Sequence, residues 1–369
     1  MSININIEYK TKEGIYPKFF NKMQGKSLAI LCDFNTKPFA DELIKKIEKI
    51  CDKINVVYFD ERELIPNDYV CEKSIEGATG YDYVLAVGSG SLNDVAKYVG
   101  TTLNIESGVL ATAASMDGYV SKGSALMLNG YKVTKDVNTP ADILIDLDII
   151  SAAPRLMTAA GFGDIIGKFT CLTDWQLGHY HNGEEINKEA FELMEKARTE
   201  CVDSFDDLKR YTFDAVAKLM DALLIAGLSM AMCGNSRPAS GSEHHISHYL
   251  EMDFVRRGEV VPPHGVKVAI GTLVSIELYN YLKDNNIQFK GCEEIYKIVE
   301  KLPSVLELEY MLEEMGCPTR FSDIGVDKAL LAETIAKAYT VRDRYTVLTL
   351  INELGLTDRV LPIILEKYL

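Results

Sequence analysis

The stretch YVLAVGSGSLNDVAKYVG, Tyr83 to Gly100, runs an apolar strand into Gly88-Ser89-Gly90-Ser91 and then at once into a helix. Glycine permits a sharp turn and the close approach of a phosphate, while the exposed N–H groups and dipole at a helix start favour an anion. The stretch is therefore a candidate pyrophosphate cradle. A dinucleotide fingerprint needs G-x-G-x-x-G, however, and its last place holds Asn93. No Gly-Lys-Ser/Thr follows to complete a P-loop, so a strand-to-helix turn with no ligand is the plainer alternative.

Working outward from this turn, SLAILCDF (27–34) reads as a buried strand, PFADELIKKIEKICDKI (38–54) as a helix and INVVYFD (54–60) as a strand. After the helix at 91–100, GVLATAAS (108–115), SALMLNGYKVTKDV and ADILIDLDII (141–150) supply later strands. Strand and helix in alternation imply a parallel sheet with helices on its faces. From Ala153 the texture changes to apolar patterns at helical spacing, as in 214–232, 265–284 and 328–343, with Pro and Gly mainly between them. The expected fold is α/β plus all-α: a parallel-sheet domain over 1–152 followed by a helical domain over 153–369.

A chain of 369 residues with 47% hydrophobic content exceeds what one core usually supports, in line with two domains. A net charge of -15 argues against nucleic acid or an anionic membrane as a general partner, though a local basic pocket can still take a small anion. The start MSININIEYKTKEG lacks a basic segment followed by an apolar run, and no apolar stretch reads as long and uncharged enough to insert in a membrane. The eight cysteines form no C-x-x-C pair, so free thiols in a reducing compartment are expected and the chain reads as cytoplasmic.

Three of the six histidines crowd into SGSEHHISHYLEM, 240–252. Ser240 and Glu243 stand in the relation of a capping box, and on the helix so begun His244 and His248 share a face, with His245 turned about 100° away. His264 enters another apolar helix after two prolines, and AAGFGDIIGK (159–168) places Asp164 in an apolar, glycine-rich setting where a carboxylate needs a strong partner. One carboxylate and two imidazoles, Asp164, His244 and His264, with an open position would suit a catalytic divalent ion. Buried, hydrogen-bonded histidines at helix starts are the competing reading. Asp33, at a strand end, is placed to accept hydrogen bonds from a ribose and to repel a 2′-phosphate, with a solvated loop aspartate as the plainer alternative. His179 and His181 read as an exposed loop pair without a role.

The ordered blocks GSGSLNDVAK, ATAASMDGYVSK, GFGDIIGK, SRPASGSEHHISH and PPHGVKVAIG resemble the glycerol-1-phosphate dehydrogenases, within the superfamily of glycerol dehydrogenase, iron-type alcohol dehydrogenase and 3-dehydroquinate synthase. The resemblance implies a Rossmann-like N-terminal domain and an active site in the cleft between the domains. It places Gly88, Gly90, Ser91 and Asp94 around an NAD(P) pyrophosphate, Asp33 near the adenosine ribose, and Thr112, Ser115 and Ser121 on the nicotinamide side. Metal ligands map to Asp164, His244 and His264, with His245 a rival to His244 and zinc, nickel and iron all compatible. Asp117 is expected on the polyol and His248 in proton handling, while Arg237 and Lys122 would hold the substrate phosphate. The implied reaction is metal-dependent, NAD(P)H-linked reduction of dihydroxyacetone phosphate, a small three-carbon substrate, to sn-glycerol 1-phosphate by a homodimer. A glycerol or small-polyol dehydrogenase, a dehydroquinate-synthase-like cyclase and a nucleotide-binding protein without catalysis are the alternatives.

Overall fold

Buried parallel strands need apolar residues on both faces, and Ser27–Asp33 meets that demand along nearly its whole length. In the computed structural model, which describes residues 5–369, it is one of eight strands. They are β1 (Asn6–Tyr9), β2 (Ser27–Asp33), β3 (Lys53–Phe59), β4 (Tyr83–Gly88), β5 (Glu106–Ala111), β6 (Gly123–Leu128), β7 (Tyr131–Asp136) and β8 (Asp142–Ile145). Six of them make one all-parallel sheet in the order β1-β8-β5-β4-β2-β3. Helix α1 (Gly90–Leu103) follows β4 directly. Phe19, Leu28, Ile30, Leu43, Tyr83 and Leu85 belong to the core on one side of the sheet.

Three local expectations change. The segment read as a helix over 38–54 is helical only over Lys37–Ile47, and β3 begins at Lys53. The run at 141–150 is a strand only to Ile145, where Asp146 accepts a bond from the Asp148 N–H and starts a short helix, Leu147–Ser151. SALMLNGYKVTKDV does not join the main sheet but folds on itself as the antiparallel pair β6–β7. Asn129 and Gly130 both take positive φ at its tip, the geometry that fits the twist of a two-residue hairpin.

This α/β unit runs to Ala153 except for Ser115–Asp117, which belongs to a second unit with Pro154–Leu369. Among the described residues the second unit is helical throughout. The helices that build its chemistry are α2 (Arg155–Ile166), α3 (Lys168–Asn182), α4 (Phe213–Cys233), α5 (Ser242–Arg257) and α6 (His264–Asp284). Contrary to the sequence expectation, α4 is long and apolar enough by composition to cross a bilayer, but 61% of its most apolar window is buried inside the protein, as in a core helix. The pattern at 328–343 breaks into the helix Lys328–Lys337 and a 3-10 turn, Ala338–Val341, after which Arg342 is extended.

Asp174 ties these helices together. Fully buried, it accepts from the Tyr279 hydroxyl at 2.6 Å, the Ser242 N–H at 2.6 Å and the Val347 N–H at 2.8 Å. One carboxylate on α3 thereby fixes the start of α5, the middle of α6 and the segment that follows residue 341.

Candidate active site

In the α/β unit the glycine turn forms as the sequence suggests. A Cβ on Gly88 would lie 2.6 Å from the Leu92 side chain, so only glycine lets β4 feed α1 this closely. No side chain caps α1, which leaves its first-turn N–H groups for an anion beside Gly90 and Ser91. The Thr112 N–H binds the Gly88 carbonyl at 3.1 Å and ties the turn to the end of β5. At the end of β2, Asp33 Oδ1 accepts from the Asn35 and Thr36 N–H groups and from Thr36 Oγ1, which leaves Oδ2 outside the turn. These residues fit a dinucleotide whose pyrophosphate meets the helix start.

Asp94, expected at the pyrophosphate, and Ser121, expected on the nicotinamide side, are both engaged by a lysine. The ammonium of Lys97 is buried beneath α1 and needs compensation, which it takes from Asp94 at 2.8 Å, Ser121 Oγ at 3.2 Å, and the Gly118 and Gly123 carbonyls. Asp94 also accepts the Ala125 N–H at 2.9 Å. Both residues are thereby tied to the start of the β6–β7 hairpin. Lys122, expected on the substrate phosphate, has an exposed side chain, with its backbone carbonyl bonded to Val137.

In the helical unit, α2 and α6 cross where neither can carry a side chain. A Cβ on Gly265 would stand 1.8 Å from the Ala160 carbonyl oxygen, and one on Gly163 would stand 2.5 Å from that of Gly265. The crossing sets Asp164 beside His264, the first residue of α6, and α5 brings in His244 from the other side. One ligand atom from each of Asp164, His244 and His264 lies within 4.8 Å of the others. His244 Nε2 is 3.6 Å from Asp164 Oδ1, while its Nδ1 meets Glu243 Oε1 at 2.7 Å. That second contact fixes the ring and leaves Nε2 to face the site, as in carboxylate–histidine–metal arrangements. Burial first, then the positive charge of Lys168 and the neighbouring imidazoles, holds His244 well below the usual histidine range. It is therefore neutral, the form that binds metal.

His245 is fully buried, with neither ring nitrogen bonded to protein, and lies outside this group, so His244 is the one that faces Asp164. His248 stands on the site's flank, its ring centroid 5.7 Å from that of His264 and 6.1 Å from that of His244. His248 and His264 make a second possible metal group with Glu251.

Asp117 joins Asp164 through the backbone: its N–H donates to Asp164 Oδ2 at 3.0 Å. Between them lies Lys168, whose ammonium sits 2.6 Å from Asp117 Oδ2 and 2.7 Å from Asp164 Oδ1. Burial works against that charge, yet the two carboxylates raise Lys168 far above the usual lysine range. Burial and the charge of Asp164 push the Asp117 carboxyl up, against the pull of Lys168. Two buried carboxylates thus share one ammonium beside the imidazoles of His244 and His264, and the deficit of positive charge together with the oxygen and nitrogen donor set fits a divalent cation. Ser115 is buried at the start of the same short segment.

Two further expectations fail on geometry. Ser240 and Glu243 do not form a capping box, because α5 starts at Ser242 with Gly241 as its cap residue. Glu243 instead accepts from the Gly241 N–H and Thr170 Oγ1 and orients His244. Arg237 does not present its guanidinium to a substrate: it is 2% exposed, forks onto both oxygens of Glu184 at 2.8 Å, and donates to the Asp174 and Tyr345 carbonyls. The histidines at 179 and 181 lie on α3 rather than in a loop, His181 stacking on Tyr345 at 4.3 Å.

Lys168, Glu243, Arg342 and Arg344 were not singled out for the site from sequence. Lys168 had a legible signal, four residues beyond Asp164 on one helix and so on the same face. The two arginines had none, since they reach the histidines only through the fold: Arg342 Nη2 is 3.4 Å from His248 Nε2.

The chain is similar to known proteins. The model of the iron-containing alcohol dehydrogenase family matches residues 12–154. A glycerol-1-phosphate dehydrogenase (NAD(P)+) of Bacillus licheniformis is 33% identical over 349 residues, covering 94% of this chain and 84% of the relative. The enzyme of the same name from Halalkalibacterium halodurans is 31% identical over 355 residues, covering 91% and 89%. The crystal structure of glycerol dehydrogenase from Schizosaccharomyces pombe superposes with a TM-score of 0.68 at 18% identity, covering 95% of this chain and 87% of that one, a likeness of fold.

Proposed function

The chain belongs to the glycerol-1-phosphate dehydrogenase family, and from that premise we propose that it reduces dihydroxyacetone phosphate reversibly to sn-glycerol 1-phosphate with NAD(P)H and one divalent metal ion. The observation that carries this is the convergence of Asp164, His244 and His264 from three helices, with Asp117 and His248 alongside. A divalent ion held there would supply Lewis-acid polarisation of the substrate carbonyl, and the nicotinamide would supply hydride.

The remaining work falls to this chain. The Gly88 turn and the start of α1 receive the pyrophosphate, with Gly90 and Ser91 at the N–H end of the helix. Asp33 Oδ2 accepts from the ribose and opposes a 2′-phosphate, which favours NADH over NADPH. Asp117 offers Oδ1 to a substrate hydroxyl while Lys168 holds Oδ2 in place. His248 Nε2 exchanges the proton of the C2 oxygen with solvent. The eight free cysteines support a reducing cytoplasm, and assembly as a homodimer rests on the resemblance alone.

The test is consumption of NADH with dihydroxyacetone phosphate against dihydroxyacetone, using protein reconstituted in turn with zinc, nickel and iron. Strong preference for the phosphorylated ketone is expected. Preference for the plain ketone would make the protein a polyol dehydrogenase, and turnover without net NADH consumption would make it a cyclase.

A further inference from the structure

With Arg237 holding Glu184 through Nε and Nη2, a charge-compensated guanidinium, the phosphate of the proposed substrate needs another receptor. After the 3-10 turn Ala338–Val341 the chain bends at Arg342 and Asp343, the Arg344 N–H donating to the Arg342 carbonyl at 2.9 Å, and both guanidinium groups reach the loop between α4 and α5. Arg342 Nη1 and Arg344 Nη2 donate to the same oxygen, Ser236 Oγ, at 2.7 and 2.8 Å. Arg344 Nη1 meets the Ser240 carbonyl at 3.2 Å, and Arg342 Nη2 meets His248 Nε2 at 3.4 Å.

Charge is what sets this pair apart. Arg237 beside it has a carboxylate, whereas no described carboxylate forms an ion pair with either Arg342 or Arg344, which bond instead to Ser236 Oγ, the Ser240 carbonyl and His248 Nε2. Burial presses the Arg344 guanidinium down to about 10, with Arg342 and Arg237 repelling it and Glu184 offsetting them only in part, so it remains a cation at neutral pH. Two half-buried like charges on one hydroxyl are costly unless an anion accompanies them. Nearby donors are also unspent: Ser240 Oγ and Arg237 Nη1 are buried without a protein partner.

We propose that Arg342 and Arg344 seat the phosphate dianion of the substrate beside His248 and thereby set the preference for a phosphorylated over a free ketone. The proposal rests on the preceding assignment of a phosphorylated three-carbon substrate. A planar fork matches phosphate oxygens bidentately, and two forks suit a dianion. Arg342 then serves twice, binding the phosphate and fixing how far it lies from the imidazole that handles the proton.

The experiment measures kcat/KM for dihydroxyacetone phosphate and for dihydroxyacetone, with inorganic phosphate as competitive inhibitor, in the metal-reconstituted enzyme and in Arg342→Ala, Arg344→Ala and the corresponding Gln and Lys variants. Thermal melting accompanies each variant; if the alanine variants fail to fold, the glutamine variants, which keep a donor toward Ser236, carry the test. The expected result is a loss of about tenfold or more in the ratio of the two kcat/KM values for each arginine, a matching rise in the inhibition constant of phosphate, and partial recovery with lysine. If the unaltered enzyme shows no preference for the phosphorylated ketone, the assigned substrate falls and this proposal with it. If that preference is strong but survives both substitutions within about twofold, or phosphate inhibits the variants as well as the parent, the arginines are structural and only this proposal falls.

Discussion

Glu243 shows how a single buried residue sets the chemistry of its neighbour. Its carboxylate lies 2.7 Å from His244 Nδ1, is bonded by Thr170 and Gly241, and is pushed up to about 7 by burial and by the charge of Asp174. Glu243→Gln should weaken metal binding by roughly ten- to hundredfold, the usual effect of losing such an orienting partner. Competition with a chromophoric chelator measures it, and unchanged affinity would reduce Glu243 to a helix-start residue. Asp33→Asn keeps an Oδ1 acceptor for the Asn35 and Thr36 N–H groups but removes the charge. The ratio of kcat/KM for NADPH over NADH should rise about tenfold, near 1.4 kcal/mol; no change would take Asp33 away from the ribose. Asp33, His244 and His264 stood out in the sequence because each is at a boundary between an apolar run and a turn or helix, and Asp164 because it is a lone carboxylate inside an apolar, glycine-rich run. Glu243 was misread, since the S-x-x-E spacing is the same whether the glutamate turns back to cap its helix or outward to hold an imidazole.

At the scale of elements, the grouping of Asp164, His244 and His264 depends on how closely three helices approach. Gly265 faces Ala160 on α2, and Gly271 faces the backbone of Glu243 on α5, where a Cβ would come within 2.7 Å of a carbonyl oxygen. Helix α6 is thus clamped on two sides by positions that carry no side chain. Gly265→Ala forces α2 and α6 apart and should cost about 1–3 kcal/mol or more, with a parallel fall in metal affinity because Asp164 and His264 separate. Thermal melting and chelator competition report the two effects, and loss of stability with intact metal binding would uncouple the crossing from the site. The parallel strands and the main helices were readable from apolar runs and their spacing. The glycines at 163, 265 and 271 were visible, but a sequence does not say which glycine meets which helix.

For the molecule as a whole, ligands binding only the folded state must raise its stability. Zinc, nickel or iron at a hundred times its dissociation constant should stabilise the protein by about 2.7 kcal/mol, and a chelator should reverse the gain. His264→Ala should abolish both that shift and turnover while NADH fluorescence still reports cofactor binding, whose contacts are assigned to the α/β unit. A shift that survives in His264→Ala would mean the ion binds elsewhere. Asp174 makes a second demand at this scale, since it joins α3, α5, α6 and Val347. Asp174→Ala leaves three buried donors unpaired and should cost about 3–5 kcal/mol in chemical denaturation; a cost below about 1 kcal/mol would show that the junction repacks. The sequence by itself determined the α/β-then-helical order, the glycine turn, and the three metal-donor candidates, because those follow from local periodicity and from the few polar groups set in apolar surroundings. Tertiary structure alone decided that Arg237 turns inward to Glu184, that Lys97 claims Asp94 and Ser121, and that Arg342 and Arg344 come to the histidines. Those outcomes depend on which buried charge finds a partner once helices far apart in sequence are packed, and neither period nor spacing in a linear chain contains that distance.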